Sequence, residues 1–351
     1  MQKPEFLTTD DLSRYVKLRP HETKIGQAMN GLPSGAYSDA LDKAWDMGQR
    51  VALVGVPESI GVKGNLGRPG AERGWQAFLG SFANLQHTGL LSTHELLLVG
   101  SVDCSDLMSQ AEPLDTRNEH DLQTIRQLVE RIDVRVQEVV APLFQRGFEV
   151  ILVGGGHNNA YPLLKSLSSA KQQPCGAINL DPHADFRARE GRHSGNGFSY
   201  AYVDGALSHY HVVGLHQAKN SASSLRQMAD AGMRYHAIHS IIGRSFAEVM
   251  DEVAAKSVSW QRPLGIEVDV DCLTGVPASA VNYSGLSLAQ GFSFVKRLAE
   301  LEDAAYLHLA EAAPSLCPTG FDEGQKQTGQ VLTELVIAYM LGRERRRRTN
   351  A

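Results

Sequence analysis

The chain has 351 residues, of which 42% are hydrophobic and 21% are charged, and its formal net charge is −5. This composition is typical of a globular protein that buries a sizeable core, and the length fits one large α/β domain or two ordinary ones. The negative charge argues against general affinity for nucleic acid, and no run approaches the ~20 apolar residues of a membrane helix.

No targeting signal or disulfide framework is recognisable. The first residues, Met1–Leu7, include an acid and lack an apolar segment, so no signal peptide is expected. The four cysteines are far apart and form no Cys-x-x-Cys pair, which argues against a zinc knuckle as well as against disulfides. We therefore expect a reduced, cytoplasmic setting.

Taken in order, the chain predicts a helical extension followed by alternating strands and helices. Residues 1–48 are predicted to be mostly helical, with a short helix near Leu12 that Thr8–Asp11 can cap. Apolar residues recur at helical spacing over residues 120–145, and Gly147 follows as a stop. Eight strands are predicted, at residues 50–56, 95–100, 150–153, 177–180, 210–215, 233–238, 263–269 and 305–310.

This alternation is the signature of a parallel sheet covered by helices on both faces, although a β/α barrel shares it. No internal repeat or linker interrupts the pattern, which favours one domain over residues 49–342, after the extension at residues 1–48. Residues 343–351 form a basic tail with five arginines in the six residues Arg343–Arg348. We interpret the tail as a solvated end of the chain or, alternatively, as an interaction surface.

Three of the predicted strands end in residues that ligate metals. Asp181, His183 and Asp185 alternate along the chain, so their side chains face the same way on an extended backbone. The other two strands lead into the remaining candidates, and in α/β proteins the carboxyl ends of strands carry the active site. These further candidates are His157, Asp269 and Asp271.

Two histidines and four aspartates suit hard divalent ions such as Mn²⁺, and the imidazoles also admit Fe, Co, Ni or Zn. Four aspartates buried together would repel one another unless cations compensated them. Two divalent ions would neutralise the aspartates and share one water or hydroxide between them. The set therefore predicts a binuclear hydrolase in which that hydroxide is the nucleophile.

With the segments Asp181–Asp185 and Asp269–Asp271 in place and Gly154–His157 before them, the chain resembles the ureohydrolase family of arginases, agmatinases and formimidoylglutamases. The resemblance covers residues 50–340 and includes the glycine-rich loop Gly64–Ala71 and Glu311. It implies a single three-layer α/β/α domain with an eight-stranded parallel sheet. It also implies two Mn²⁺ per subunit and assembly into trimers or hexamers.

The resemblance also implies roles for individual residues. His157, Asp181, Asp185 and Asp269 would hold one Mn²⁺, and Asp181, His183, Asp269 and Asp271 would hold the other. Asp185 would in addition hold the hydroxide and carry its proton to the leaving nitrogen. Glu311 would bind the amidino or guanidinium group, since a carboxylate can accept paired N–H bonds from a planar cation.

Phe186–Arg187, after the first ligand segment, resembles the formimidoylglutamase pattern. N-formimidoyl-L-glutamate carries two carboxylates, so its pocket should offer cationic or donor groups. Arginases have a histidine proton shuttle where Gly197–Ser199 stands here. The nearest histidine is His193, which is therefore the catalytic candidate for this role. The candidates for substrate binding are Arg187, Arg192, Ser194 and Asn196.

The leading hypothesis is a hydrolase that converts N-formimidoyl-L-glutamate to L-glutamate and formamide in histidine degradation. One alternative is a guanidino hydrolase that releases urea, of the agmatinase, guanidinobutyrase or arginase type. An alternative of another class is a metal-poor, non-catalytic binding or regulatory homologue, against which the full set of six ligands argues. Asp271 also argues against the deacetylases that share the fold.

Overall fold

The computed structural model describes residues 5–350, which form a ten-stranded sheet. The eight long strands are all parallel and lie in the spatial order β4-β3-β5-β10-β9-β6-β7-β8. The sheet is open, so the parallel α/β fold predicted above is confirmed and the barrel alternative is excluded. The strands are β1 Glu5–Phe6, β2 Asn30–Gly31, β3 Val51–Gly55, β4 Leu96–Ser101, β5 Glu149–Val153, β6 Cys175–Leu180, β7 Leu207–Leu215, β8 Arg234–Ala237, β9 Leu264–Asp269 and β10 Ala304–Ala310.

Helices lie on both faces of this sheet. The long helix predicted at residues 120–145 runs from Glu119 to Gln145, and the Asn118 side chain caps it by accepting from two backbone N–H groups. It ends before Gly147, whose φ of 85° lies in the left-handed region. The helices are α1 Thr9–Leu12, α2 Ile25–Ala28, α3 Tyr37–Asp46, α4 Ile60–Gly64, α5 Gly74–Phe82, α6 Ser105–Ala111, α7 Glu119–Gln145, α8 Ala160–Lys171, α9 Gly197–Val203, α10 Ala222–Asp230, α11 Ile238–Ile241, α12 Phe246–Val258, α13 Leu288–Ala299 and α14 Phe321–Asn350.

Each face of the sheet has its own hydrophobic core. In β5, Val150 and Leu152 pack with α7 and α8, whereas Ile151 and Val153 pack with the cluster that includes α5, α13 and α14. Successive residues of a strand point to opposite faces, so a continuous apolar run supplies both cores. The central strands are therefore mostly apolar, although β6, β9 and β10 each bury a polar side chain, and further polar side chains lie where these strands end.

The N-terminal residues attach to the edge of the sheet at β4. Strand β1 pairs with β4 in the antiparallel direction, and β2 pairs with it in the parallel direction. Helix α3 buries Ala40, Leu41 and Ala44 in the core. Residues 1–4, part of the segment in which no signal peptide is expected, lie outside the described residues, as does Ala351. The division into extension, domain and tail stays a prediction.

The arginine-rich tail continues helix α14. Arg343 is 5% exposed and donates to Glu95 at 2.8 Å and to Glu149 at 2.7 Å. Arg346 and Arg347 add one further ion pair to each of these acids. Three of the five arginines are therefore part of the fold rather than of a solvated end. Within residues 5–350, no helix has both the length and the apolar composition needed to cross a bilayer.

Candidate functional site

The predicted ligands meet at the carboxyl ends of four neighbouring strands. Strands β5, β10, β9 and β6 lie side by side in the middle of the sheet. His157 follows β5, Asp181 follows β6, Asp269 ends β9 and Glu311 follows β10. Because parallel strands present these ends on one edge, residues more than 100 positions apart in the chain converge there.

Glycines after β5 bring His157 beside Glu311. Gly154 and Gly155 have φ values of 93° and 74°, which the chain adopts as it turns out of the strand. The Gly155 carbonyl accepts from the Glu311 backbone N–H at 2.9 Å, and the His157 N–H donates to Glu311 Oε1 at 3.0 Å. A Cβ on Gly155 would overlap the Asn159 side chain, so glycine is required there.

All six candidate ligands fall into two groups that share Asp181 and Asp269, and within each group the ligand atoms lie within 4.8 Å of one another. His157 Nδ1 lies 2.9 Å from Asp185 Oδ2 and 3.3 Å from Asp181 Oδ2. His183 Nδ1 lies 3.3 Å from Asp271 Oδ2. One group is His157, Asp181, Asp185 and Asp269, and the other is Asp181, His183, Asp269 and Asp271.

Unpartnered atoms in this cluster fit metal binding. Among residues 5–350, His157 Nδ1 makes no hydrogen bond of acceptable geometry although carboxylate oxygens surround it, and Asp271 Oδ1 is likewise buried without a partner. A buried polar atom without a partner costs about 1 to 3 kcal/mol. Divalent cations between the side chains would remove that cost, because each of these atoms offers a lone pair to a cation.

The charge of the cluster also fits the binding of cations. Burial raises the pKa of Asp271 to about 6, although His183 opposes the shift. Burial, together with Asp271 and Asp181, raises the pKa of Asp269 well above its usual range. Burial alone would lower the pKa of His183, but Asp271 and Asp181 raise it. Asp269 and His183 therefore tend to hold protons that offset the crowded negative charge, and bound cations would displace these protons.

Two residues at the site have left-handed backbone conformations although neither is glycine. Asp185 has a φ of 42° and Glu311 a φ of 66°. Such conformations cost of order 1 to 3 kcal/mol and persist where the surrounding structure enforces them. Both side chains line the same cavity, so the strain is located at the candidate active site.

A cavity of about 330 Å³ opens onto the ligand groups. Glu311 is buried at one side, where Ser279 Oγ donates to its Oε2 atom. Burial, reinforced by Asp269, raises the pKa of Glu311 to about 8. Arg187 and Lys219 bring positive charge to the lining of the same cavity. The remaining lining residues include Asn65, His183, Asp185, Ser194, Asn220, Asp269 and Asp271.

The predicted substrate-binding residues divide into two sets. Arg187 and Ser194 line the cavity, whereas Arg192 and Asn196 are buried away from it. The Arg192 guanidinium donates to Asp133 at 2.8 Å, to the Asn158 carbonyl at 2.9 Å and to Asn196 Oδ1 at 2.8 Å. With its donors used in this way, Arg192 holds the loop in shape, and direct contact of Arg192 or Asn196 with a substrate does not fit their placement.

His193 is also buried and lies outside the cavity lining. Its Nδ1 atom accepts from the Gly195 N–H at 3.1 Å. Burial, with Arg126 and Arg187 nearby, lowers the pKa of His193 to about 3. A neutral ring without access to the cavity does not fit the proton-shuttle role expected from the sequence, and its hydrogen bond fits a structural role.

Three functional candidates were missed in the sequence. Glu58 is fully buried and accepts from the Gly156 N–H at 2.8 Å and the Ile60 N–H at 2.7 Å, so it shapes the turn before His157. It follows strand β3, and that position at a strand end is a signal that would have found it. Glu267 interrupts the apolar run of β9 and is buried behind the ligands. Lys219 is exposed in the connection between β7 and α10, and no motif in the sequence around it indicates that it lines the cavity.

Residues 49–342 match the arginase family. A formimidoylglutamase from Chromobacterium violaceum is 25% identical over 272 residues, which cover 75% of this chain and 80% of the relative. One from Salmonella arizonae is 30% identical over 188 residues, so the chain spans about half of that relative, 53%. A crystal structure of Trypanosoma cruzi formiminoglutamase with Mn²⁺ superimposes with a TM-score of 0.68 at 18% identity, over 92% of this chain and 98% of that one.

Proposed function

The chain belongs to the arginase family, as its motifs predicted, and from that membership we propose that it hydrolyses N-formimidoyl-L-glutamate to L-glutamate and formamide, a step of histidine degradation. The observation that carries this proposal is the polarity of the cavity. Carboxylates gather at the ligand groups and at Glu311, whereas the two cations Arg187 and Lys219 line the same cavity. This polarity complements a substrate with a cationic amidine at one end and carboxylates at the other.

The two ligand groups fit a pair of Mn²⁺ ions, with Asp181 and Asp269 between them. Oxygen-rich sets with one imidazole each suit a hard divalent cation. Bound there, the ions would lower the pKa of water and so supply a nucleophile near neutral pH. The residues that would hold them are His157, Asp181, Asp185 and Asp269 for one ion, and Asp181, His183, Asp269 and Asp271 for the other.

Glu311 is placed to bind the amidine. The His157 N–H and the Ser279 hydroxyl each donate to one of its oxygens, and these contacts fix the carboxylate plane. A planar amidinium can donate two parallel N–H bonds to a carboxylate held in this way. Asp185, which belongs to the first ligand group and lines the same cavity, would accept the proton of the attacking water and deliver it to the leaving nitrogen.

Arg187 and Lys219 would bind the substrate carboxylates. Arg187 Nη1 donates to Asn65 Oδ1 at 2.8 Å, and Lys219 Nζ donates to Asn282 Oδ1 at 3.0 Å. Among residues 5–350 neither cation lies in an ion pair with an acidic side chain. Both charges are therefore oriented by neutral amides and available to an anionic ligand.

The test is a substrate panel given to the purified protein loaded with Mn²⁺. N-formimidoyl-L-glutamate, agmatine, 4-guanidinobutyrate and arginine are supplied separately, and formamide and urea are both measured. We expect formamide from the first substrate and little urea from the others. Urea without formamide would replace the proposal with a guanidino hydrolase.

Metal analysis of the same sample separates the enzyme from a non-catalytic homologue. Two bound ions per chain support the hydrolase, whereas fewer than one ion and no turnover of any substrate would favour a binding or regulatory protein. A cytoplasmic location, supported by four free cysteines, and assembly into trimers or hexamers belong to the same proposal. Light scattering in solution gives the subunit number.

A further inference from the structure

A second polar cluster is buried directly behind the candidate metal ligands. Glu267 lies on β9 two residues before Asp269, and Tyr306 and His308 lie on the neighbouring strand β10. All three side chains are fully buried. Glu267 and His308 are direct partners in the parallel register of the two strands. Nothing in the chemistry described above uses this cluster.

Glu267 is the centre of the cluster. Its Oε1 atom accepts from the Tyr306 hydroxyl at 2.6 Å, and its Oε2 atom lies 2.6 Å from His308 Nδ1. The same Oε2 atom lies 3.3 Å from Nε2 of the candidate ligand His157. An ionised carboxylate can only accept hydrogen bonds, so each ring nitrogen that faces it carries a proton.

This hydrogen bond decides which nitrogen of His157 is free. With the proton of the neutral ring on Nε2, the lone pair is on Nδ1, which points at the carboxylates of the first ligand group, 2.9 Å from Asp185 Oδ2. The other tautomer would place an N–H where a cation has to bind. A carboxylate behind a ligand histidine also makes the ligating nitrogen more basic.

We propose that Glu267 is a positioning residue for the metal centre, which acts through His157 by fixing its tautomer and ring orientation. The inference rests on the binuclear centre proposed above and adds a residue to it. It predicts an effect on only one of the two ions, because His157 belongs to one ligand group and not to the other.

The space around Glu267 is built for this arrangement. A Cβ on Gly265 would overlap the Tyr306 ring, so the glycine admits the tyrosine whose hydroxyl fixes Glu267 Oε1. No arginine or lysine pairs with Glu267 among residues 5–350, although a buried carboxylate is costly without a partner. Histidines and a tyrosine alone satisfy it, so its charge acts on those rings.

His157, Glu267 and His308 are also close enough to be considered as a third metal group. The 2.6 Å between Glu267 Oε2 and His308 Nδ1 is, however, the length of a charge-assisted hydrogen bond. An ion keeps the atoms that ligate it apart from one another. A contact as short as this one leaves no room for a cation between the two atoms. We therefore assign the contact to a proton, and the experiment below includes the third-ion outcome.

The test is Glu267→Gln, which keeps the size of the side chain and removes its charge. Mn²⁺ binding to the metal-free protein is followed by calorimetric titration and by electron paramagnetic resonance, which distinguishes single from paired ions. One site should weaken about 10- to 100-fold while the other changes less than about threefold. The matched control is Tyr306→Phe, which removes one hydrogen bond to Glu267 but keeps the Glu267 charge beside His157, so it should weaken the site less than Glu267→Gln does.

Two further variants keep the test decisive. If Glu267→Gln lowers the yield of folded protein, Glu267→Asp keeps the charge but withdraws the carboxylate from His157 and should weaken the same site. In a His157→Ala background, Glu267→Gln should have no further effect on Mn²⁺ affinity, because its action passes through that ring. A merely structural role would lower affinity at both sites and in both backgrounds.

The outcomes also separate this inference from the proposed function. A wild-type protein that binds fewer than two ions would contradict the binuclear centre itself. Two ions in the wild type and unchanged affinities in Glu267→Gln would overturn only the role of Glu267. A third ion in the wild type that is lost in Glu267→Gln would make Glu267 a ligand and would overturn its role as a positioning residue.

Discussion

His157 Nδ1 lies closer to Asp185, at 2.9 Å, than to Asp181 or Asp269, at 3.3 and 3.8 Å. His157 belongs to one ligand group, whereas Asp181 and Asp269 belong to both. Asp181→Ala or Asp269→Ala should therefore lose both ions and essentially all activity. His157→Ala should retain one ion and part of the activity. Elemental analysis of the variants after gel filtration gives the ion content per chain.

The exposed variant Asp115→Ala serves as the control for these ligand variants and should bind metal as the wild type does. Within the described part of the chain, the exposed Asp115 carboxylate forms an ion pair only with Arg117. Equal metal content in Asp181→Ala, Asp269→Ala and His157→Ala would contradict the assignment of bridging ligands.

Removing a cation of the cavity should affect substrates according to their charge. Arg187→Ala and Lys219→Ala should each raise KM for N-formimidoyl-L-glutamate about 10-fold or more, since a hydrogen bond to a charged group is worth about 1.5 to 3 kcal/mol. KM for agmatine, which has no carboxylate, should change little. The control is Arg189→Ala, an exposed residue that does not line the cavity. Equal effects on both substrates would remove the carboxylate-binding role.

Glu58→Gln should destabilise the fold around the turn before His157. Glu58 is buried and accepts from backbone N–H groups of Ile60 and Gly156 and from the Asn159 side chain. An amide in its place would direct a donor at these donors and should lower the free energy of unfolding by about 3 kcal/mol. Urea denaturation measures the change. The exposed variant Glu112→Gln should shift it by less than about 0.5 kcal/mol, and a similarly small shift in Glu58→Gln would contradict the prediction.

His193 should make stability depend on pH. Its folded-state pKa is lowered to about 3 from 6.5, chiefly by burial. Below pH 6.5 the unfolded chain binds a proton at this position and the folded chain does not, so stability is full above pH 6.5 and is lost as the pH falls towards about 3. His193→Asn keeps an acceptor for the Gly195 N–H. It should reduce the loss of unfolding free energy between about pH 7 and about pH 5 by about 2 kcal/mol.

Urea titrations of the metal-free protein at both pH values measure this effect, because the ligand cluster titrates equally in the wild type and in the variant. The exposed variant His94→Asn should keep the wild-type pH dependence. If His193→Asn also kept the wild-type pH dependence, the His193 ring would take up its proton in the folded protein as it does in the unfolded chain, which would contradict the prediction.

The arginines of helix α14 should differ in their effect on stability. Arg343 is buried between Glu95 and Glu149, so Arg343→Ala leaves both acids with less compensation and should cost about 3 kcal/mol. The Arg348 side chain is 78% exposed and pairs with Glu344 one turn away. Arg348→Ala should therefore change stability by less than about 0.5 kcal/mol. Equal losses in thermal unfolding would contradict the assignment of Arg343 to the core.

The candidate ligands could be predicted because their signal is local. Alternation places Asp181, His183 and Asp185 on one side of the chain, and a strand that ends in such residues delivers them to the edge of a parallel sheet. The long strands and α7 were predictable for the same reason, since each has its own periodicity. Strands β1 and β2 have two residues each and depend on pairing with β4, so no periodicity in the sequence predicts them.

Contacts between distant parts of the chain explain the remaining failures. Arg192 and Arg187 look alike in the sequence, but Asp133, 59 residues earlier, neutralises only Arg192. Lys219 reaches the cavity because buried Asn282 holds it from another loop. Nothing in the residues next to Lys219 encodes that contact. Glu267 stands out in the sequence as an acid within an apolar strand. Its role could not be predicted, because that role depends on the neighbouring strand β10.

The cations that compensate Glu95 and Glu149 all lie in helix α14, and the first of them, Arg343, follows these acids by 248 and 194 residues. Glu95 directly precedes β4 and Glu149 begins β5. Both acids therefore leave the ribosome well before Arg343 is translated. Contacts so far apart in the chain form late, so we expect the nascent polypeptide to stay open until its final helix emerges from the exit tunnel. Protease digestion of chains stalled before Arg343 should cut β4 and β5, and resistance of these strands at that stage would refute the expectation.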